Sequence, residues 1–350
     1  MRSLTADAMA ELAPAHGPLF PPLVVAIYIA CVAGAGVLAN CALLAALLKR
    51  SRNGLSSIII QLAVADIILI ATSVGPEIWS YNARSWIFGR NFCIAYRGLC
   101  IFASTASLYL IATIALHTLA TAKLEEKAIT LKNKRSDRDD DDEIRSSRHS
   151  LVASSDTSTP PRTMNVDYRL AHTRVPVAPP SVFVWVLSAS LSIPEFTLAT
   201  TVRRDQDVIA CTLVDTSHRV NMYSMVAFFN FFLLVLILTS ACVLIICKFK
   251  SKKTIKLEGS DTIPALKLSL WLILVYGIFC IPRSLFYVYG LYSADTKIDL
   301  EYASDNFLLI KLILSAMYLA ATLLRPILCL SLLPGLLKMF SFGFRSIDEV

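Results

Sequence analysis

A handful of ionisable side chains interrupt stretches that are otherwise apolar: Asp66, Glu77, Arg97, Glu195, Arg283, Lys311 and Arg325. A charge in such surroundings is costly unless it meets an opposite charge, a polar cavity or water. Each is therefore a candidate for ion pairing or ligand capture. Catalysis fits less well. No His/Cys/Asp/Glu cluster has metal-ligand spacing, and His117 stands alone among apolar neighbours. No metal, no other cofactor and no enzymic chemistry is expected.

The elements that must position these charges follow from composition. Of the 350 residues, 55 % are hydrophobic and 17 % charged, with a mean hydropathy of +0.61. Ordinary soluble domains are about 25 % charged, so this chain has too little polar surface to cover a water-soluble globule. Residues 18–48 carry no charge over 31 positions, and residues 220–247 carry none over 28. About 20 apolar helical residues cross a hydrocarbon core of about 30 Å. Five further segments complete seven spans, near 20–48, 55–77, 93–120, 178–200, 220–247, 266–292 and 305–332. The expected fold class is an all-α membrane protein, a seven-transmembrane helix bundle over residues 18–343. The first run is too long for the core of a signal peptide and reads as a retained helix preceded by a short tail, residues 1–17.

Lys and Arg in the short loops set the orientation. The first loop has Lys49, Arg50 and Arg52, and the loop after the fifth span has Lys248, Lys250, Lys252, Lys253 and Lys256. The loop after the sixth has Lys297 against Asp295, Asp299, Glu301 and Asp305. The N-terminus is then extracellular and the tail 344–350 cytoplasmic. The net charge of +7 is mainly a topology signal, and no nucleic-acid partner is expected. Residues 123–174, with an acidic run from Asp137 to Glu143 and then Ser-, Thr- and Pro-rich sequence, are expected to be a disordered cytoplasmic insertion. It is either a solvated segment with no role or a docking segment controlled by phosphorylation, since Arg145 and Arg148 precede Ser147 and Ser150.

Seven of the nine cysteines fall inside spans, where a thiol acts as a small hydrophobe. Cys93, at the outer end of the third span, and Cys211, in the outer loop before the fifth, both face the oxidising side. A Cys93–Cys211 disulfide is the economical pairing, with two free thiols as the alternative.

Seven spans, an outer N-terminus and this cysteine pair resemble the rhodopsin-like (class A) G-protein-coupled receptors. The landmarks run in order: Gly36-Val-Leu-Ala-Asn40, Leu62-Ala-Val-Ala-Asp66, Trp86-Ile-Phe88-Gly89, Ser107, Trp185 with Pro194, Pro282 and Pro326. Within that family, Cys211-Thr-Leu-Val-Asp215 and Ser192-Ile-Pro-Glu195-Phe are similar to an orphan branch related to the galanin receptors. The resemblance implies an extracellular ligand, a peptide by the pocket positions of Arg97, Arg283, Tyr287 and Lys311. Glu77, Glu195 and Tyr318 add to that candidate ligand-binding set. Three cations suit a peptide with an acidic group or a free C-terminus, with internal pairing that merely closes the top of the bundle as the alternative. The middle of the third span has no aspartate to face an amine.

The departures from the family pattern fall on its switches. Where the family has Asp-Arg-Tyr for partner coupling, this chain has His117-Thr118-Leu119; where it has Cys-Trp-x-Pro, this chain has Phe279-Cys280-Ile281-Pro282. Asn-Pro-x-x-Tyr becomes Arg325-Pro326-Ile327-Leu328-Cys329, and the fifth span lacks a proline between Ser224 and Cys247. Asp66 lies about 10 residues and Arg325 about 7 from the cytoplasmic ends of their helices, so their depths differ by about 4 to 5 Å. The resemblance implies a sodium ion at Asp66 and the position of Ser107. An Asp66–Arg325 pair in its place is the expectation, with snorkelling of Arg325 to the headgroups as the alternative.

After the seventh span, residues 334–345 read as a short amphipathic helix on the inner leaflet. Ile347-Asp348-Glu349-Val350 reads as a frayed tail, with a carboxylate and an apolar last residue for a PDZ partner as the alternative. The expectation is an orphan receptor of the plasma membrane with degenerate activation motifs, its partners a heterotrimeric G protein or arrestin. A non-signalling seven-helix scaffold or scavenger is the alternative. A transporter is a third, disfavoured by the lack of an internal repeat or a Gly-rich break.

Overall fold

The computed structural model describes residues 18–49, 53–149, 175–203, 209–214, 216–250, 261–293, 305–334 and 336; the side chains of 132–149, 216–220, 287, 290–293 and 305 fall outside that description. Among the described residues, seven helices are long and apolar enough to cross a membrane. They are α1 (Pro22–Lys49), α2 (Gly54–Ala83), α3 (Gly89–His149), α4 (Ala178–Leu198), α5 (216–250), α6 (262–293) and α7 (Asp305–Leu332). The tail 1–17, the stretch 334–345 apart from its first residues, and the residues 344–350 with their PDZ motif lie outside the described residues.

The helices form one bundle around α3. In its apolar window 72 % of the residues are buried, against 17 % for α1, which packs on one side only. The exposed side chains of the outer helices are large and apolar, among them Leu38, Val182, Phe183, Leu236 and Trp271. That is the pattern of a bundle whose solvent is hydrocarbon.

Wide i→i+5 turns interrupt four helices, at Cys31–Ala35, Ile70–Val74, Phe228–Leu233 and Tyr276–Cys280. Each inserts a residue into the helical repeat and turns the following side chains to a new face. In α5 this turn stands where a proline is lacking, and the Tyr109 hydroxyl donates to the Phe229 carbonyl within it at 2.8 Å.

At one end, α4 passes directly into an antiparallel hairpin, β1 (Ala199–Arg203) and β2 (Ile209–Leu213), with Thr201 opposite Cys211. The fourth span was expected to run to 200. Instead Thr200, Thr201 and Val202, β-branched residues favoured in strands, open β1. Cys211 is bonded to Cys93 near the start of α3, with Cα atoms 5.7 Å apart. Trp86 is tucked beneath: its ring N–H donates to the Gly89 carbonyl at 2.8 Å, and its backbone N–H donates to Ile209 at 2.7 Å.

The larger departure is in α3. The sequence places disorder from residue 123, yet α3 continues unbroken to His149. No glycine or proline occurs between Gly98 and Pro160, and Lys, Glu, Arg and Leu are good helix formers even where no core receives them. Residues 150–174, with Ser150, lie outside the described residues.

Candidate functional site

The bundle holds three polar layers, and the middle one is the most enclosed. Arg325 on α7 donates from Nη1 to Asp66 Oδ1 on α2 at 2.6 Å, and the two side chains are 1 % and 0 % exposed. Ser107 on α3 donates to the same carboxylate oxygen at 2.6 Å and also touches the guanidinium. Arg325 Nη2 points at the Cys280 thiol on α6, 3.7 Å away and two residues before Pro282. Asn40 on α1 closes the ring of helices. Its amide donates to the Gly36 carbonyl at 2.9 Å and to the Thr322 carbonyl at 3.2 Å. The Thr322 carbonyl is available because Pro326, four residues on, has no N–H to offer it.

A carboxylate and a guanidinium at this distance sum to no charge. The sodium ion implied at this position does not fit. A monovalent cation on Asp66 would meet Arg325 at about 4 Å, where two like charges repel by about 4 kcal/mol at an effective dielectric of 20.

The second layer lies at the disulfide end. Arg97 on α3 makes a forked contact with Glu195 on α4, Nε to Oε2 at 2.7 Å and Nη2 to Oε1 at 3.2 Å, and reaches the Tyr223 hydroxyl at 2.9 Å. Arg283 on α6 donates to Glu77 on α2 at 2.6 Å and lies 4.3 Å above the Tyr318 ring. Lys311 sits 4.6 Å above the Tyr81 ring. In both ion pairs the acid is buried and the base partly open: Glu195 is 3 % and Arg97 20 % exposed, Glu77 0 % and Arg283 27 %. In both pairs the guanidinium is the more open partner. Tyr287 lies on α6 with its side chain outside the described residues.

The third layer is at the opposite end. Thr118 and Ser269 share a hydrogen bond of 2.9 Å between α3 and α6. Thr262 at the start of α6 donates to Glu125, and Lys248 at the end of α5 pairs with Glu126. Leu119 packs with Ala122, Ala241, Ile245 and Leu266. The His117 ring lies against Gly54, where an added Cβ would come within 2.6 Å of Nε2. Thr118 and Leu119 are therefore turned into the bundle, and α3 is tied to α5 and α6 by groups other than an arginine.

A scan of the chain against protein-family models matches none of them, and no curated protein matches it.

Tyr223, Tyr81, Glu125 and Glu126 complete these layers and are absent from the candidate set drawn from the sequence. Glu125 and Glu126 do carry a signal, as the first acids after the long apolar run of α3. Nothing in the sequence pairs Tyr223 with Arg97, because that contact depends on how α5 is rotated against α3.

Proposed function

We propose that the chain is a receptor of the rhodopsin-like class, with its N-terminus outside the cell and a ligand that bears an acidic group, such as a peptide. The observation that carries this is the disulfide end. A hairpin bonded to α3 lies at the same end as two ion pairs whose acids are buried and whose guanidinium groups remain partly open. The partly open guanidinium groups of Arg97 and Arg283 suit a carboxylate. The lysine- and arginine-rich loops support the orientation, and the ordered landmarks from Asn40 to Pro326 support the class.

A second reading, a scaffold or scavenger that does not signal, is favoured by the opposite end. There Thr118 replaces the coupling arginine and is hydrogen-bonded to α6. The two separate in one assay. G-protein and arrestin reporters are read without ligand in cells displaying the parent chain or Thr118→Arg. A basal signal from either supports a receptor; silence from both, at normal surface levels, supports the scaffold.

A further inference from the structure

The two ion pairs at the disulfide end differ in how much of each guanidinium they occupy. A guanidinium has two edges that present a parallel pair of N–H groups, Nε with Nη2 and Nη1 with Nη2. Arg97 commits the first edge to Glu195, at 2.7 and 3.2 Å, and the second proton of Nη2 goes to the Tyr223 hydroxyl at 2.9 Å. Neither of its edges is left whole. Arg283 meets Glu77 through one bond, from Nη2 to Oε1 at 2.6 Å. The second oxygen of Glu77, Oε2, is buried with no donor on it. Among the described residues, Nε and Nη1 of Arg283 bond nothing, and neither is cut off from solvent. Whichever Nη2 proton Glu77 takes, Arg283 keeps one complete edge.

That guanidinium lies inside the bundle. Glu77 on α2 holds one nitrogen, and the Tyr318 ring on α7 lies 4.3 Å beneath the central carbon. The ring covers one face and fixes the plane, so two N–H groups are presented together without further ordering. Even so, 27 % of the side chain stays open. Glu77 lies six residues inside the end of α2 at Ala83, and Arg283 ten inside the end of α6 at Ser293. At about 1.5 Å per residue, the pair is about 9 to 15 Å below the helix ends. A group that reaches it must be slender and carry its acceptors at its tip. Two parallel donors match the two oxygens of a carboxylate. A carboxamide offers one acceptor and turns an N–H toward the second donor, and an ammonium offers none.

We infer that Arg283 is the residue that receives the ligand's carboxylate, in a two-point contact, while Arg97 braces α3 against α4. The ligand class narrows from any acidic peptide to one whose carboxylate ends the chain, a free C-terminus and not an amide. This assignment rests on the reading of the chain as a receptor for an acidic ligand.

The probe is benzoate, a planar carboxylate small enough for that depth, replacing chloride at constant sodium concentration. Binding is read from the melting midpoint of the full chain in nanodiscs over a concentration series. The parent should show a saturable rise, and benzamide should bind about tenfold more weakly. Arg283→Lys keeps a cation for Glu77 but has no fork, and should weaken benzoate about tenfold. Arg97→Lys should leave benzoate binding unchanged. Glu77→Gln removes the carboxylate that competes for Arg283 and should tighten benzoate, a gain that a purely structural role for the pair would not give. Unchanged binding in Arg283→Lys, weakening in Arg97→Lys, or no tightening in Glu77→Gln would overturn the assignment and leave the acidic-ligand reading standing. Benzamide binding as well as benzoate, or no saturable rise with benzoate in the parent, would overturn both.

Discussion

Arg325 lies 2.6 Å from Asp66 across the centre of the bundle, both side chains closed off from solvent. Ser107 bonds the same carboxylate from a third helix. Burying two charges costs several kcal/mol per ion, recovered only if their geometry and remaining hydrogen bonds are good. The pair is thus a device that tolerates removal of both partners far better than removal of one.

That asymmetry is testable by a double-mutant cycle. Arg325→Met or Asp66→Leu alone should lower stability by about 3–5 kcal/mol, each leaving an unpaired buried charge. The combined variant should recover most of the loss, read as the melting temperature of the purified chain in nanodiscs. An additive double variant would mean that the two side chains are not coupled.

The ion pairs at the disulfide end should respond unequally to loss of base and loss of acid. Arg283→Met strands Glu77, which is fully buried, and should cost about 3–5 kcal/mol. Glu77→Gln leaves a partly open guanidinium that can reach water, and should cost about 1–2 kcal/mol. Melting temperatures of the two variants give the order directly.

The Cys93–Cys211 bond closes a sequence separation of 118 residues. Its loss should lower stability by about 2–5 kcal/mol and reduce surface display. Cys93→Ser, Cys211→Ser and the double variant should match one another in flow cytometry. A single variant clearly worse than the double would implicate a stray thiol instead.

Gly54 gives His117 its place: a Cβ would come within 2.6 Å of the ring and 2.9 Å of Val177. Gly54→Ala should cost about 1–3 kcal/mol through overpacking. His117→Ala in the same chain should relieve the larger part, again by melting temperature.

The architecture was legible in the sequence where a single physical quantity decided it. Charge-free runs of 31 and 28 residues leave little choice but long apolar helices, and two cysteines outside such runs stand out by elimination. The closeness of Asp66 and Arg325 was within reach of simple rise-per-residue arithmetic, because no wide turn lies between either residue and that end of its helix. The partners Arg97–Glu195 and Arg283–Glu77 were not legible. They depend on helix rotation, and the wide turns at Ile70–Val74 and Tyr276–Cys280 shift the face on which Glu77 and Arg283 emerge. The reach of α3 to His149 is not legible from polarity, which points to disorder; an unbroken run of helix formers specifies local structure without a core.

The most direct test of a fixed internal pair standing where a mobile cation is implied is the sodium dependence of the melting temperature. The purified chain is heated in nanodiscs as sodium chloride replaces choline chloride at constant ionic strength. The parent midpoint should not move with sodium, and Arg325→Asn, which frees the Asp66 carboxylate, should gain a saturable rise. A parent midpoint that climbs with sodium would contradict the account.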